Sequence, residues 1–135
     1  MDTLQINWLA VVAAAVAMFV LGGLWYSPML FYKGWLSATK LTETELKGRN
    51  MPLVFGLAFV LTFLMAVSLA FFLANQKTDL AWGITAGLLA GLGWATFSFA
   101  IIALFEKRTL SYVLINGGYI TVGFVLMGAI LGGWR

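Results

Sequence analysis

The chain is 135 residues long, 62% hydrophobic and only 10% charged, with a formal charge of +3 and neither cysteine nor histidine. An average soluble domain is about 45–50% apolar and about 25% charged, and a chain this short cannot hide the surplus in one water-soluble core. The excess must face lipid, and the absent residue types exclude disulfides, thiolate nucleophiles, attached haem and the usual zinc sites.

Four apolar runs, at about 6–27, 52–74, 80–105 and 110–134, carry no Asp, Glu, Lys or Arg. Each reaches the length of about 20 residues that crosses a hydrocarbon core of about 30 Å. Backbone groups cannot go unpaired in lipid, so the runs are expected to be helices. The fold class is therefore all-α: a polytopic membrane protein with four transmembrane helices, forming a single membrane domain over 1–135. Asp2 stands where a basic signal region would lie, and the first run is too long for a signal core, so no cleavable signal is expected.

The first run closes on Gly22-Gly23-Leu24-Trp25-Tyr26-Ser27-Pro28. Pro28 has no N–H and clashes with the Leu24 carbonyl, so it ends or bends the helix. Ser27 before Pro28 predicts an N-cap and the start of a new helix. Met29, Phe31, Tyr32, Trp35 and Leu36 make its apolar side, with Lys33, Ser37 and Lys40 opposite, as in an interfacial amphipathic helix. Thr42-x-x-Glu45 reads as a capping box with Leu41 and Leu46 as its staple, Gly48 stops that short helix, and Pro52 opens the second span. The segment 28–51 is thus expected to be an ordered cap.

The loops set the orientation. Lys33, Lys40, Lys47 and Arg49 in the first loop and Lys107 and Arg108 in the third outweigh Lys77 and Arg135 on the other side. The excess of basic residues predicts that the first and third loops face the cytoplasm and that both termini face outward. Trp8, Trp82 and Trp134 fall at the expected outer interface, where indole rings prefer to sit. This topology accounts for the basic charge, and no nucleic-acid partner is expected.

Small residues that let membrane helices approach closely recur on every span. They are Ala10, Ala14 and Ala17 on the first, Ala58, Thr62, Ala66 and Ala70 on the second, Gly83, Gly87 and Gly91 on the third, and Gly128 and Gly132 with Gly117 and Thr121 on the fourth. A compact bundle follows, and the seams also suggest a homo-oligomer.

An ionisable residue inside the membrane would point to a proton relay, and none is present in the four runs. What remains is neutral. Asn116 lies in the stretch YVLINGGY, between Tyr112 and Tyr119, at the depth where Trp25, Tyr26 and Ser27 end the first span. Gly117 and Gly118 permit close approach, so these residues form a candidate pocket for a lipid headgroup or small amphiphile. The plainer reading is an interhelical hydrogen bond from the Asn116 amide, worth about 0.6 kcal/mol. Trp94 falls near mid-membrane, where its indole N–H needs an acceptor such as Thr62, Ser68, Thr96, Ser98 or Thr121. It is either packing or part of the same site. Asn7 reads as a helix cap.

The stretches INWLAVVAAAVAMFVLGGLWYSPMLFYKGW and LTETELKGRN, with NGGY in the fourth span, resemble a family of small bacterial integral membrane proteins, domain of unknown function 1761. The resemblance implies a four-helix protein of the bacterial inner membrane and brings no activity, substrate or catalytic residue. On function the residues lead to a non-enzymatic bundle that self-associates and binds membrane lipid or a membrane protein partner, with no cofactor, metal or catalytic residue. The alternative is a small transporter or channel for a neutral or amphipathic solute, without side-chain proton coupling. An enzyme is the poorest reading, because a Ser or Thr nucleophile would have no His, Cys or buried carboxylate to activate it. For the orientation, cysteines replacing Lys40 or Arg49 are expected to escape an impermeant maleimide added outside the cell, while cysteines at either terminus react. The opposite pattern inverts the topology.

Overall fold

The computed structural model describes residues 6–134; Asp2 and Arg135 lie outside them. The helices are α1 (Trp8–Trp25), α2 (Tyr32–Thr39), α3 (Glu43–Lys47), α4 (Met51–Phe72), α5 (Leu80–Leu88), a π-helical segment (Leu89–Thr96), α6 (Phe97–Phe105) and α7 (Leu110–Gly133), with no strand among the described residues. α5, the π segment and α6 run on as one span, Leu80–Phe105, so four helices are long and apolar enough to cross a bilayer. The chain is a multi-pass membrane protein.

Each span opens on a polar side chain. Asn7 Oδ1 accepts the N–H groups of Leu9 and Ala10 at 3.1 and 3.2 Å, and Asn50 Oδ1 accepts Leu53 N–H at 3.3 Å. Asp79 accepts Trp82 N–H at 2.8 Å, and Thr109 Oγ1 accepts Tyr112 N–H at 3.2 Å. These caps satisfy amides that the helices cannot pair internally, which is what a span needs at the edge of hydrocarbon.

α7 is the hub. On one side it meets α5 and the π segment so closely that a Cβ at Gly83 would strike the Gly128 carbonyl, and one at Gly87 the Phe124 carbonyl. A Cβ at Gly91 would lie 2.7 Å from Phe124 Cβ, and one at Gly132 would lie 2.8 Å from Gly83 Cα. The glycine stripes of the third and fourth spans therefore pack on each other within one chain. They are not available to pair two copies, so the seam argument for a homo-oligomer loses its support.

The π segment keeps this contact in register. An α-helix returns to one face after four residues only approximately, and the stripe of Gly83, Gly87 and Gly91 would drift away from α7 if it continued. From Gly91 the next residue facing α7 is Thr96, five positions on, the spacing of a π turn. Thr96 is buried, and its hydroxyl donates to the Gly117 carbonyl at 3.1 Å and lies 3.0 Å from Thr121 Oγ1.

On the other side α7 packs on α1, and α1 on α4. Ala10, Val11, Ala14, Ala15 and Met18 of α1 join Ala66, Leu69 and Ala70 of α4 and Met127 and Leu131 of α7 in the buried core. Phe19 adds edge contacts to Phe55 and Phe59 at 6.1 and 5.5 Å. α4 and the third span stand apart; the Phe72–Trp94 ring contact (6.1 Å) bridges a lipid-facing groove between them. Asn7 Nδ2 reaches the Trp134 carbonyl at 3.5 Å, so the two ends of the described chain meet at one end of the bundle. Lys33, Lys40, Lys47, Arg49, Lys107 and Arg108 gather at the opposite end, and Lys77 shares the end with Asn7.

The cap between α1 and α4 departs from expectation at its start. No helix begins at Pro28; residues 26–31 form turns, and α2 starts at Tyr32. The helix partner of the Leu24 carbonyl would be the N–H of residue 28, which proline lacks. Ser27 fills the vacancy instead of capping a new helix: its hydroxyl donates to Leu24 O at 2.7 Å and its N–H at 3.2 Å. α2 then turns Trp35, Leu36 and Ala38 inward and packs on α7, with Gly34 near Ile115. Glu45 N–H donates to Thr42 Oγ1 at 3.1 Å, which is one half of the expected capping box; the return bond from Thr42 N–H to the Glu45 side chain is not made, and of the expected staple pair Leu46 is buried while Leu41 is exposed.

Gly87→Ala is expected to lower the unfolding free energy by about 1–3 kcal/mol, the cost of overpacking a close helix contact. Gly56→Ala, where a Cβ meets nothing within 4 Å, should be neutral or stabilise by up to about 1 kcal/mol. Unfolding of both variants in nanodiscs or detergent measures the difference.

Candidate functional site

The basic end of the bundle is built around the two glycines of NGGY. A Cβ at Gly118 would lie 2.8 Å from Trp25 Cζ2, and one at Gly117 would lie 2.6 Å from Thr96 Cγ2. The absence of side chains thus seats an indole from α1 on one face of α7 and a threonine from the third span on another. Trp25 Nε1–H donates to the Ile115 carbonyl at 2.9 Å, which satisfies the indole while its ring contacts Phe31 (centroids 4.7 Å apart).

This seating aims the next residue. Tyr26 O–H donates to Asn116 Oδ1 at 2.6 Å, and Asn116 Nδ2 donates back along its own helix to Tyr112 O at 3.0 Å. The Asn116 amide is therefore held by both its ends. Tyr119, one turn further along α7, meets the Tyr26 ring edge-on at 5.4 Å, and its hydroxyl lies over Gly22, where a Cβ would come within 3.2 Å. Trp35 from α2 closes on the other side of Tyr26 at 6.0 Å.

Tyr26, Trp35, Asn116 and Tyr119 form a wall with a cleft on each side. The larger cleft, about 460 Å³, runs between α1 and α4, with Gly22 and Gly23 on its α1 side and Val54, Phe55 and Ala58 across from them. Arg49 stands at its edge, its Nε–H donating to Leu46 O at 3.1 Å. The smaller cleft, about 420 Å³, lies toward α6 and is bordered by Phe99, Arg108 and Tyr112. There Phe99 stacks on Tyr112 at 5.5 Å, and the Arg108 guanidinium sits 5.1 Å above the Tyr112 ring. A left-handed residue, Lys107 (φ 60°), ends α6 in a Schellman turn, with Arg108 N–H on Ala103 O at 2.9 Å, and so fixes the position of Arg108.

Over residues 9–132 the sequence matches the family described as Protein of unknown function (DUF1761). The chain belongs to that family. No curated protein and no solved structure matches it.

In this DUF1761 member the six residues expected to share a pocket have different places. Tyr26, Asn116 and Tyr119 come together and line both clefts. Trp25 lies behind them, holding α1 on α7, and Ser27 is turned back to Leu24. Trp94 is a correction: it is 67% exposed on the lipid-facing side, against Phe72, and its indole bonds to none of the hydroxyls suggested for it. The π segment is the reason. Thr96 takes the inward position that the stripe demands, and Trp94, two residues earlier, is left facing out.

Trp35 and Arg49 were not foreseen as lining residues. The apolar face of α2 was the signal for Trp35, but which span it would cover was not readable. In the sequence Arg49 reads only as one of the basic residues that set topology. If the Tyr26–Asn116 bond is an ordinary interhelical one, the double-mutant cycle of Tyr26→Phe and Asn116→Leu should give a coupling of about 0.6 kcal/mol in unfolding. A coupling of zero would mean that the bond contributes nothing to holding α1 on α7.

Proposed function

We propose that this protein is a non-enzymatic lipid-binding protein of the bacterial inner membrane, with both termini outside the cytoplasm and the Tyr26–Asn116–Tyr119 wall at the cytoplasmic leaflet. The basic end supplies the orientation argument. The observation that carries the reading is the larger cleft. Its volume of about 460 Å³ falls in the range of about 300–1,000 Å³ typical of small-molecule sites.

The chemistry of its walls changes with depth. The Tyr119 hydroxyl, beside the cleft, has no hydrogen-bond partner among the described residues, and the Thr62 hydroxyl is spent on Ala58 O at 2.7 Å. A molecule lying there meets Arg49 at the end of the α4 span and, further along α4, an apolar wall of Val54, Phe55 and Ala58 with Phe19 across from it. That is the order of groups in an amphiphile. The hydroxyls of Tyr26 and Thr96 are likewise engaged in internal hydrogen bonds, and the chain has no histidine or cysteine to activate them, which favours binding over catalysis.

Solute transport has weaker support. Both clefts lie at the same end; a smaller one of about 250 Å³ beside Asn7, Ala10, Leu131 and Trp134 opens at the opposite end, and Val11, Ala14, Met18 and Met127 are buried in the bundle between them. A direct test uses the bare cleft surface. A Cβ at Gly23 meets nothing within 4 Å, so Gly23→Leu should fill the cleft without disturbing the fold. Native mass spectrometry of protein released from nanodiscs is expected to show a retained phospholipid on the wild type and its loss in Gly23→Leu, with unchanged unfolding. Equal retention in both removes the proposed site.

A further inference from the structure

The larger cleft carries information about which lipid it takes. We propose that its occupant is an anionic glycerophospholipid of the surrounding bilayer, with its phosphate on Arg49 and an acyl chain against Phe55. This rests on the lipid-binding reading above and narrows it to one headgroup class.

Charge is the first ground. Arg49 is the charged residue lining the larger cleft; no carboxylate lines it, and Arg49 makes no ion pair among the described residues. A zwitterionic headgroup such as phosphocholine would bring its phosphate to the guanidinium together with an ammonium that no carboxylate of this cleft can balance. An anionic one gains an opposite charge on a guanidinium exposed at the end of a membrane span, the attraction by which basic residues at a membrane surface select anionic lipid.

Geometry is the second. The Arg49 Nε–H is committed to the Leu46 carbonyl at 3.1 Å, and Leu46 itself is buried. The fork is thereby pinned at its root, with both terminal amino groups left for an acceptor. A pre-positioned guanidinium loses less freedom on binding than a free lysine would. Tyr32 and Tyr119 line the same cleft, and neither hydroxyl has a hydrogen-bond partner among the described residues. Both can donate to phosphate or glycerol oxygens.

Depth is the third. Arg49 directly precedes Asn50, the cap of α4, so it stands at the end of a membrane span, where phosphates lie. From there the cleft follows α4 along Val54, Phe55 and Ala58, and Phe55 is 54% exposed. A free phosphate would use the guanidinium but leave this wall uncovered; a lipid uses both.

Arg108 provides an internal control, because it carries the same charge at the same end of the bundle yet sits on the Tyr112 ring and does not line the larger cleft. The experiment compares binding of phosphatidylglycerol and phosphatidylcholine with matched acyl chains to the full-length protein, read by native mass spectrometry. Wild type is expected to favour phosphatidylglycerol about fivefold, the effect of one arginine near a membrane surface. Arg49→Gln should abolish the preference, Arg49→Lys should keep part of it, and Arg108→Gln should keep all of it. Soluble glycerol 3-phosphate should not displace the lipid.

Bound lipid without headgroup preference in the wild type overturns this proposal and leaves the lipid-binding reading standing. A preference that survives Arg49→Gln, or falls equally in Arg108→Gln, assigns it to general surface charge and also overturns the proposal. Displacement by glycerol 3-phosphate would make the site one for a soluble anion. Retention unaffected by Gly23→Leu, or no retention at all, defeats the lipid-binding reading itself.

Discussion

Two helix backbones can touch only where side chains are missing, and in this protein that contact lies between the third and fourth spans. Gly83 and Gly87 face Gly128 and Phe124 so closely that no Cβ could be accommodated. In lipid there is little hydrophobic drive to bring helices together, so this fit of backbone to backbone is the main cohesive contact. Everything else is arranged from α7 outward. Its second face, opened by Gly118 and Gly123, receives Trp25 and Met18 of α1, and α1 in turn holds α4.

The π-helical segment is what makes one long contact out of two short ones. A stripe spaced by four residues cannot stay on one side of a straight α-helix over a full membrane crossing. The step of five from Gly91 to Thr96 corrects the drift and lets the Thr96 hydroxyl satisfy itself on Gly117 and Thr121. The same correction turns Trp94 to the lipid. Packing, not chemistry, accounts for both residues.

The site follows from a defect and its repair. Pro28 deprives Leu24 of its helical partner, Ser27 replaces that partner, and the chain leaves the first span with Tyr26 directed at Asn116. The turn also carries α2 across α7, where Trp35 completes the wall between the two clefts. Gly22 makes room for the Tyr119 ring, and a Cβ at Gly23 would meet nothing within 4 Å. The two glycines leave one side of a cleft bare, and that bareness is the space in which a ligand can lie.

Much of this was legible in the residues alone. Composition and run length determined the membrane as solvent, the four helices and their approximate ends, because hydrocarbon forbids unpaired backbone over about 20 residues. The caps at Asn7, Thr42, Asn50, Asp79 and Thr109 follow local rules of helix ends, and so does the stop at Pro28. The meeting of Tyr26 with Asn116 was foreseeable, since both lie at one depth and glycines border each. Which stripe met which was not. Glycines at helical spacing look the same whether they serve a neighbour in the chain or a second copy, and rotation about a helix axis is set by partners far away in sequence. For the same reason only the tertiary structure decided that Trp94 faces out, that α4 stands off from the third span, and that Arg49 borders a cleft.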